Sequence, residues 1–223
     1  MTEAPSPAAT CVVLRPRGDE HECFMLVRSS KSPFMPQALV FPGGRLDAAD
    51  GAADDDATWR AAARRECYEE AGLELDADAL EWFDTWCTPS AEPRRFLARF
   101  YLAQVDREAS AAADGHETED GRWCTAGEAL AQWRDGKADL PPPTLCILML
   151  LHEHGAAGLR ARAGSMLAAP ILPKATIDGG EIQVVMPHDP GYDAIDGAAA
   201  PAPDRIAGLP MRFVRRDNRW VPC

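Results

Sequence analysis

The sequence RECYEEAGL at residues 65–73 decides the fold. Residues three and four apart share one face of an α-helix, so Glu66, Glu69 and Glu70 would direct their carboxylates to nearly the same side. Convergent carboxylates repel one another unless a cation neutralises them, and their hard oxygens suit Mg²⁺ or Mn²⁺. Arg65 precedes Glu69 by one helical turn and could orient that carboxylate by a charge-assisted hydrogen bond. The segment alone has two interpretations, a divalent-metal site and a solvated acidic helix face.

The flanking residues predict where this helix begins and ends. Residues 58–71, TWRAAARRECYEEA, are mostly strong helix formers. Asp56 or Thr58 is expected to cap the N-terminus, because both side chains accept hydrogen bonds from free backbone N–H groups. Gly72 follows at a position where helices commonly end. A single helix is therefore expected to carry all three carboxylates.

The helix and the glycine-containing loop before it together resemble the Nudix box, G-x5-E-x7-R-E-U-x-E-E-x-G-U, where U is a bulky apolar residue. The second half of this pattern matches residues 65–73, with Cys67 as a small substitute for the usual aliphatic residue. The first half departs from it, because the loop is longer than the standard one. Counting forward from Gly44 places the first acidic position on Asp50, whereas counting back from Arg65 places it on Ala57. The sequence does not decide which of these two residues occupies the first acidic position of the box.

The resemblance implies both a fold and a reaction. The fold is α/β (α+β), a Nudix-type α/β/α sandwich in which helices cover a mixed sheet. Members of the family hydrolyse a nucleoside diphosphate linked to another moiety, using divalent metal ions and an activated water. Metal ions that bridge the diphosphate would neutralise its oxygens and lower the pKa of a bound water. The resemblance thus implies Mg²⁺ or Mn²⁺ as the cofactor.

Carried over residue by residue, the resemblance implies a ligand set and a catalytic set. Glu66 and Glu70 would be the principal metal ligands, and Glu69 a further or outer-shell ligand. The family often adds a carboxylate from a distant loop, and Glu117, shortly before a tryptophan, stands where that acid commonly occurs. The catalytic candidates are Glu66, Glu69 and Arg65. The base that takes the proton of the water stays open among Glu66, Glu69 and Glu117.

A narrower resemblance covers residues 10–150 and indicates the peroxisomal coenzyme A diphosphatase branch of the Nudix superfamily. It rests on the order of short blocks around the box: FMP at 34–36, VFPGGRLDAAD at 40–50, WCTP at 86–89, RRF at 94–96 and LPPPT at 140–144. This branch cleaves CoA and acyl-CoA to 3',5'-ADP and 4'-phosphopantetheine or its acyl form. ADP-ribose, other nucleotide sugars and NADH are the alternative substrates, since a few loop side chains decide specificity within one fold.

Four residues near the box are candidates for binding the substrate. Arg28 and Arg45 could each hold phosphate oxygens in the two-pronged geometry that guanidinium groups favour. Gly43 and Gly44 lack side chains, so their backbone can approach a substrate closely. Each arginine also has the ordinary interpretation of a surface residue.

Composition and charge exclude several classes of protein. Of the 223 residues, 46% are hydrophobic, which fits a globular protein rather than a disordered one. With 23 basic and 35 acidic residues the net charge is −12, a field that repels nucleic acids and anionic membranes. The seven cysteines form no CxxC pair, and no apolar run approaches the roughly 20 residues of a membrane span. We expect a cytoplasmic protein with a small nucleotide-type substrate, because residues 1–10 do not resemble a signal peptide and residues 221–223 are not a peroxisomal address.

The expected organisation is one domain with two appendages: a flexible N-terminus at residues 1–9, a Nudix hydrolase domain at 10–155 and a partly irregular C-terminal extension at 156–223. The extension has no catalytic pattern and, because Nudix proteins commonly pair, it is a candidate surface for a homodimer or a lid. A rival of another class is a non-catalytic Nudix-fold nucleotide sensor. Such modules usually lack box carboxylates, whereas all three are present here.

Overall fold

Strand β1 (Ser6–Arg17) organises the larger of two sheets in the computed structural model, which describes residues 4–31, 35–113, 118–162 and 169–223. Six further strands of these ranges complete this sheet: β2 (Glu20–Arg28), β3 (Leu39–Val40), β4 (Gly43–Arg45), β5 (Glu81–Cys87), β6 (Phe96–Gln104) and β7 (Thr118–Thr125). The first part of β1 pairs with β4 and its last part with β2, both antiparallel, while β6 runs parallel along the other edge. The sheet is therefore mixed, as expected.

Helices cover both faces of this sheet. The described ranges contain three α-helices: α1 (Asp56–Ala71), α2 (Ala126–Arg134) and α3 (Pro142–Arg162). Successive strand residues point to opposite faces, and β1 accordingly divides the core into two layers. Val13 is buried in one cluster with residues of α1, and Val12 and Leu14 are buried in another with residues of α2 and α3. This arrangement is the α/β/α sandwich that the sequence predicted.

The box helix α1 is fixed at both ends by capping residues. Asp55 is the N-cap residue, because its side chain accepts a hydrogen bond from the Ala57 N–H. The choice of Asp56 or Thr58 was wrong, since the helix already begins at Asp56. Gly72 ends the helix as expected, with a φ of 67° that places it in the left-handed region.

The C-terminal extension contains a second sheet. Its strands are β8 (Lys174–Asp178), β9 (Glu181–Val185), β10 (Arg212–Arg216) and β11 (Arg219–Pro222), all antiparallel in the order β11-β10-β9-β8. Val184, Phe213 and Trp220 are buried in the same apolar cluster as Leu148 of α3. The extension is thus packed into the core of the larger domain.

Two element boundaries differ from the sequence-based expectation. β1 begins at Ser6, so residues 6–9 lie in a strand rather than in a flexible N-terminus, because their backbone pairs with both β4 and β6. α3 continues to Arg162, beyond the expected domain boundary at residue 155, across a kink at Gly155, where φ is 63° and ψ is −170°. Within the described ranges, no helix has the length and apolar character needed to cross a membrane.

Candidate active site

Two glycines bring the box carboxylates to one place. Gly43 and Gly44 begin β4, which contacts both β1 and α1. The Gly43 N–H donates to Glu70 Oε2 at 2.9 Å. A Cβ atom on Gly44 would lie 2.5 Å from the Glu66 carboxylate, closer than real Cβ atoms approach. A side chain at position 44 would therefore displace Glu66, so close packing requires the glycine.

Arg65 joins the two halves of the box through its guanidinium group. Its Nη2 and Nε atoms donate to Asp50 Oδ2 and Oδ1 at 2.9 and 3.1 Å. Its Nη1 atom donates to Glu66 Oε1 at 2.8 Å and to Glu69 Oε2 at 3.0 Å. The hydrogen bonds from Arg65 lower the pKa of Asp50, although burial opposes the shift. Asp50 rather than Ala57 thus occupies the first acidic position, and the extra residues of the loop follow it.

The three box carboxylates differ in exposure. The side chain of Glu66 is 14% exposed and that of Glu69 is 55% exposed, whereas Glu70 is buried. Glu66 and Glu70 face β4, and Glu69 lies at the rim, where Arg65 holds it. The sequence predicted that all three carboxylates point to nearly the same side. Glu66 and Glu70 fit this prediction better than Glu69, because the side chains of consecutive helix residues, such as Glu69 and Glu70, point about 100° apart.

This carboxylate set suits a hard divalent cation that the substrate helps to bind. Among the described residues, no three His, Cys, Asp or Glu side chains already converge on one metal position. Mg²⁺ usually keeps several waters and combines one or two protein carboxylates with substrate phosphate oxygens. Glu66 and Glu70 fit that requirement, since both carboxylates adjoin the glycine pair. Glu117, the fourth expected ligand, lies outside the described residues, so its role stays a prediction.

The structure brings the expected substrate-binding residues to the same cleft as the box. Arg28, Gly43, Gly44 and Arg45 all line it, as do the box residues Arg65, Glu66, Glu69 and Glu70. Arg28 ends β2 just after a register shift in its pairing with β7, and such bulges change the direction of a side chain. The Arg45 carbonyl oxygen accepts a hydrogen bond from Arg65 Nη2 at 2.9 Å, which ties β4 to the helix.

The cleft extends from the box to the C-terminal sheet. Its volume is about 1310 Å³, larger than the roughly 300–1,000 Å³ of most small-molecule sites. The larger sheet and the first residues of α3 form part of the lining of the cleft. The C-terminal sheet contributes Ile182, Val184, Arg215 and Trp220. These four residues were not predicted, because their local sequence carries no signal of the surface they would pack against.

The C-terminal sheet is fixed beside the cleft by bonds to distant elements. Arg215 forms an ion pair of 2.7 Å with Asp139, which lies between α2 and α3. Trp133 Nε1 of α2 donates to the Trp220 carbonyl oxygen at 2.9 Å. On the other side, Ile171 exchanges two backbone hydrogen bonds of 2.8 Å with β5. The sheet is therefore held from two directions.

Comparisons with known sequences agree with this geometry. The NUDIX domain model matches residues 4–142, more than half of the chain. Nudix hydrolase 7 of Caenorhabditis elegans is 32% identical in an alignment that covers 58% of this chain and 55% of that protein. Acyl-coenzyme A diphosphatase NUDT19 of Xenopus laevis is 22% identical in an alignment that covers 56% of this chain and 58% of that protein. The chain thus spans little more than half the length of these curated relatives.

Two solved structures share the fold. A NUDIX hydrolase from Alicyclobacillus acidocaldarius has a TM-score of 0.61 at 21% identity, covering 76% of this chain and 98% of that chain. The NUDIX domain of Shewanella oneidensis NrtR, complexed with ADP ribose, has a TM-score of 0.53 at 15% identity. This likeness covers 68% of this chain and 88% of that chain. The expected fold is confirmed by these likenesses. The domain model, which matches more than half of the chain, shows that the chain belongs to the NUDIX domain family.

Proposed function

We propose that the protein is a Mg²⁺- or Mn²⁺-dependent diphosphohydrolase that cleaves CoA or acyl-CoA to 3',5'-ADP and phosphopantetheine or its acyl form. One observation carries the proposal: Glu66 and Glu70 are held against Gly43 and Gly44 in a cleft that residues of the C-terminal sheet also line. The CoA-type substrate is supported by the relative named acyl-coenzyme A diphosphatase and by the sequence blocks that resemble this branch.

In this proposal the box residues have distinct roles. Glu66 and Glu70 would hold the metal, which supplies neutralisation of the diphosphate charge and a bound water of lowered pKa. Arg65 holds Glu66 and Glu69 in position and offsets part of their mutual repulsion. One carboxylate takes the proton of the attacking water, and Glu66, Glu69 and Glu117 are the candidates for this base.

The charge balance of the chain favours a small anionic substrate over a polyanionic partner. A net charge of −12 repels nucleic acids and anionic membranes. An anionic metabolite can still bind where cations concentrate, and Arg28 and Arg45 line the same cleft as the box. The proposal therefore includes these two arginines as phosphate contacts and the cytoplasm as the site of action. A homodimer is a further expectation, which the mass in solution would test.

Product analysis tests the proposal. The protein would be incubated with Mg²⁺ or Mn²⁺ and with CoA, acetyl-CoA, ADP-ribose or NADH, and the products separated by liquid chromatography. Release of 3',5'-ADP from CoA and acetyl-CoA, abolished by EDTA, is the expected result. Formation of AMP from ADP-ribose or NADH, with CoA left intact, would support the diphosphohydrolase activity but show that CoA is not its substrate.

A nucleotide sensor without catalytic activity is the second candidate. ADP-ribose is the first ligand to test for this role, because the NrtR domain that shares the fold was solved with that nucleotide. Tight binding of ADP-ribose with no turnover of any substrate would favour the sensor. The complete set of box carboxylates favours the enzyme, since binding alone does not require a charge cluster that must be neutralised by metal.

A further inference from the structure

The C-terminal sheet gives the cleft an apolar wall. Ile182 and Val184 of β9 are separated by one residue, so their side chains lie on the same face of the sheet. Both residues line the cleft together with Trp220 of β11. Val184 and Trp220 are buried, whereas Ile182 is 47% exposed, so its apolar side chain is open to a molecule in the cleft. We call Ile182, Val184 and Trp220 the C-terminal wall.

The charged residue beside this wall is already paired. The Arg215 guanidinium forms its ion pair with Asp139 at 2.7 Å and lies 5.3 Å from the centre of the Trp220 ring. Phe100 also lines the cleft and belongs to the same apolar cluster as Val184 and Trp220. Because Asp139 already neutralises the Arg215 guanidinium, this apolar surface suits an uncharged apolar group better than a further phosphate.

The two ends of the cleft therefore fit two different parts of one molecule. At the box end, carboxylates and arginines provide the surroundings that a metal-bound diphosphate needs. In another part of the same lining, the wall offers apolar contact. The volume of about 1310 Å³ leaves room for a chain in addition to a nucleotide, since most sites for drug-sized ligands have roughly 300–1,000 Å³.

We infer that the C-terminal wall determines specificity by binding an apolar chain attached to the diphosphate. This inference rests on the proposed function, because the box must hold the diphosphate for the wall to contact the chain. It narrows the substrate class to nucleoside diphosphate derivatives that carry an acyl-type chain. It also gives a role to strands that lie beyond residues 4–142, the part matched by the NUDIX domain model.

Equilibrium binding with Ca²⁺ in place of Mg²⁺ separates the wall from catalysis, because Ca²⁺ also joins carboxylate and phosphate oxygens. Chromatography of the titrated samples would check that the ligand stays intact. Calorimetric titration should show octanoyl-CoA binding about tenfold more tightly than CoA, because the octanoyl chain leaves water at the wall. Ile182→Thr should reduce this preference about fivefold, since it removes apolar surface and adds a hydroxyl group. Ile182→Leu should preserve the preference.

Ile177→Thr is the matched control. Ile177 is the cross-strand partner of Ile182, is 72% exposed and lies outside the cleft lining. The same substitution there should leave the ratio of the two dissociation constants unchanged. Thermal unfolding of each variant would verify that the sheet remains folded.

Each outcome of this experiment bears on one of the two proposals. Equal binding of CoA and octanoyl-CoA, no binding of either, or the same change in both threonine variants would overturn the role of the wall. A preference for octanoyl-CoA that only Ile182→Thr reduces supports the wall, even if product analysis finds no hydrolysis and rejects the enzyme. Hydrolysis of CoA without any chain preference would keep the enzyme and reject the wall.

Discussion

The two ends of the cleft are built in opposite ways. At the box end, Arg65, Glu66 and Glu70 belong to one helix, and their spacing follows from helical geometry. At the C-terminal wall, the supporting contacts join residues far apart in the chain, such as Asp139 with Arg215. In the proposed function, this difference would separate chemistry from specificity. Substitutions at the box should affect the turnover of every substrate, whereas substitutions at the wall should affect the binding of only those substrates that carry an apolar chain.

Neutralising a box carboxylate has the largest expected effect. Glu66→Gln and Glu70→Gln should each lower kcat about a hundredfold or more on every substrate, because each removes charge from the metal site. A glutamine at position 70 can still accept the Gly43 N–H, so the melting temperature should change little. Steady-state kinetics at saturating Mg²⁺ and thermal unfolding would measure both effects.

Glu74→Gln provides the control for these variants, because Glu74 is exposed and lies just beyond the box helix. It should have the kcat of the unmodified protein. Full activity in Glu66→Gln or Glu70→Gln would show that the metal is held elsewhere.

Two glycine substitutions should separate activity from stability. In Gly44→Ala the new Cβ would meet the Glu66 carboxylate, so kcat should fall about ten- to a hundredfold through misplacement of that group. In Gly72→Ala the left-handed φ of 67° would be strained, which should cost about 1 kcal/mol of unfolding free energy and leave kcat unchanged. Kinetics and urea unfolding of both variants would test the separation. Equal loss of activity in the two would argue against a specific contact at Gly44.

The pairing of Asp50 with Arg65 predicts a stability that depends on pH. Asp50→Asn should lower the unfolding free energy by about 1 kcal/mol at pH 7. The pKa of Asp50 is lowered in the folded protein by the hydrogen bonds from Arg65, so its contribution is present above the unfolded pKa of about 4. That contribution is lost as the pH falls through the lowered folded pKa.

Urea unfolding at a series of pH values would test this prediction. The difference between the unmodified protein and Asp50→Asn should be constant from about pH 6 to 8 and should shrink below about pH 4. A difference that increases on acidification would contradict the proposed pairing.

The smallest expected effect is at the support of the C-terminal wall. Asp139→Asn weakens the partly buried ion pair with Arg215 and should lower stability by about 0.5–1 kcal/mol while leaving kcat unchanged. Asp135→Asn is the comparison, because its ion pair with Lys137 is exposed on both sides and should contribute less. Thermal unfolding would rank the two variants. A large loss of kcat in Asp139→Asn would mean that the wall and the box are coupled.

The sequence predicted the box end well because its signals are local. Glycine positions and helical spacing identified Gly44 and the three carboxylates, but the choice between Asp50 and Ala57 needed the position of Arg65 in space. The start of β1 was missed, since small residues such as those at 6–9 have little strand preference of their own and are ordered by pairing with neighbouring strands. The wall was missed for the same reason, because packing partners distant in sequence leave no local pattern.

Ile171 also protects an edge of the larger sheet. β5 is the terminal strand on its side, and an uncovered edge strand offers free N–H and C=O groups for pairing with another chain. Here the Cys87 N–H donates to the Ile171 carbonyl oxygen, and the Ile171 N–H donates to the Thr85 carbonyl oxygen. A chain cut before Ile171 would expose this edge next to the apolar side of the cleft. The C-terminal segment thus covers part of an edge that would otherwise be open to pairing with another chain.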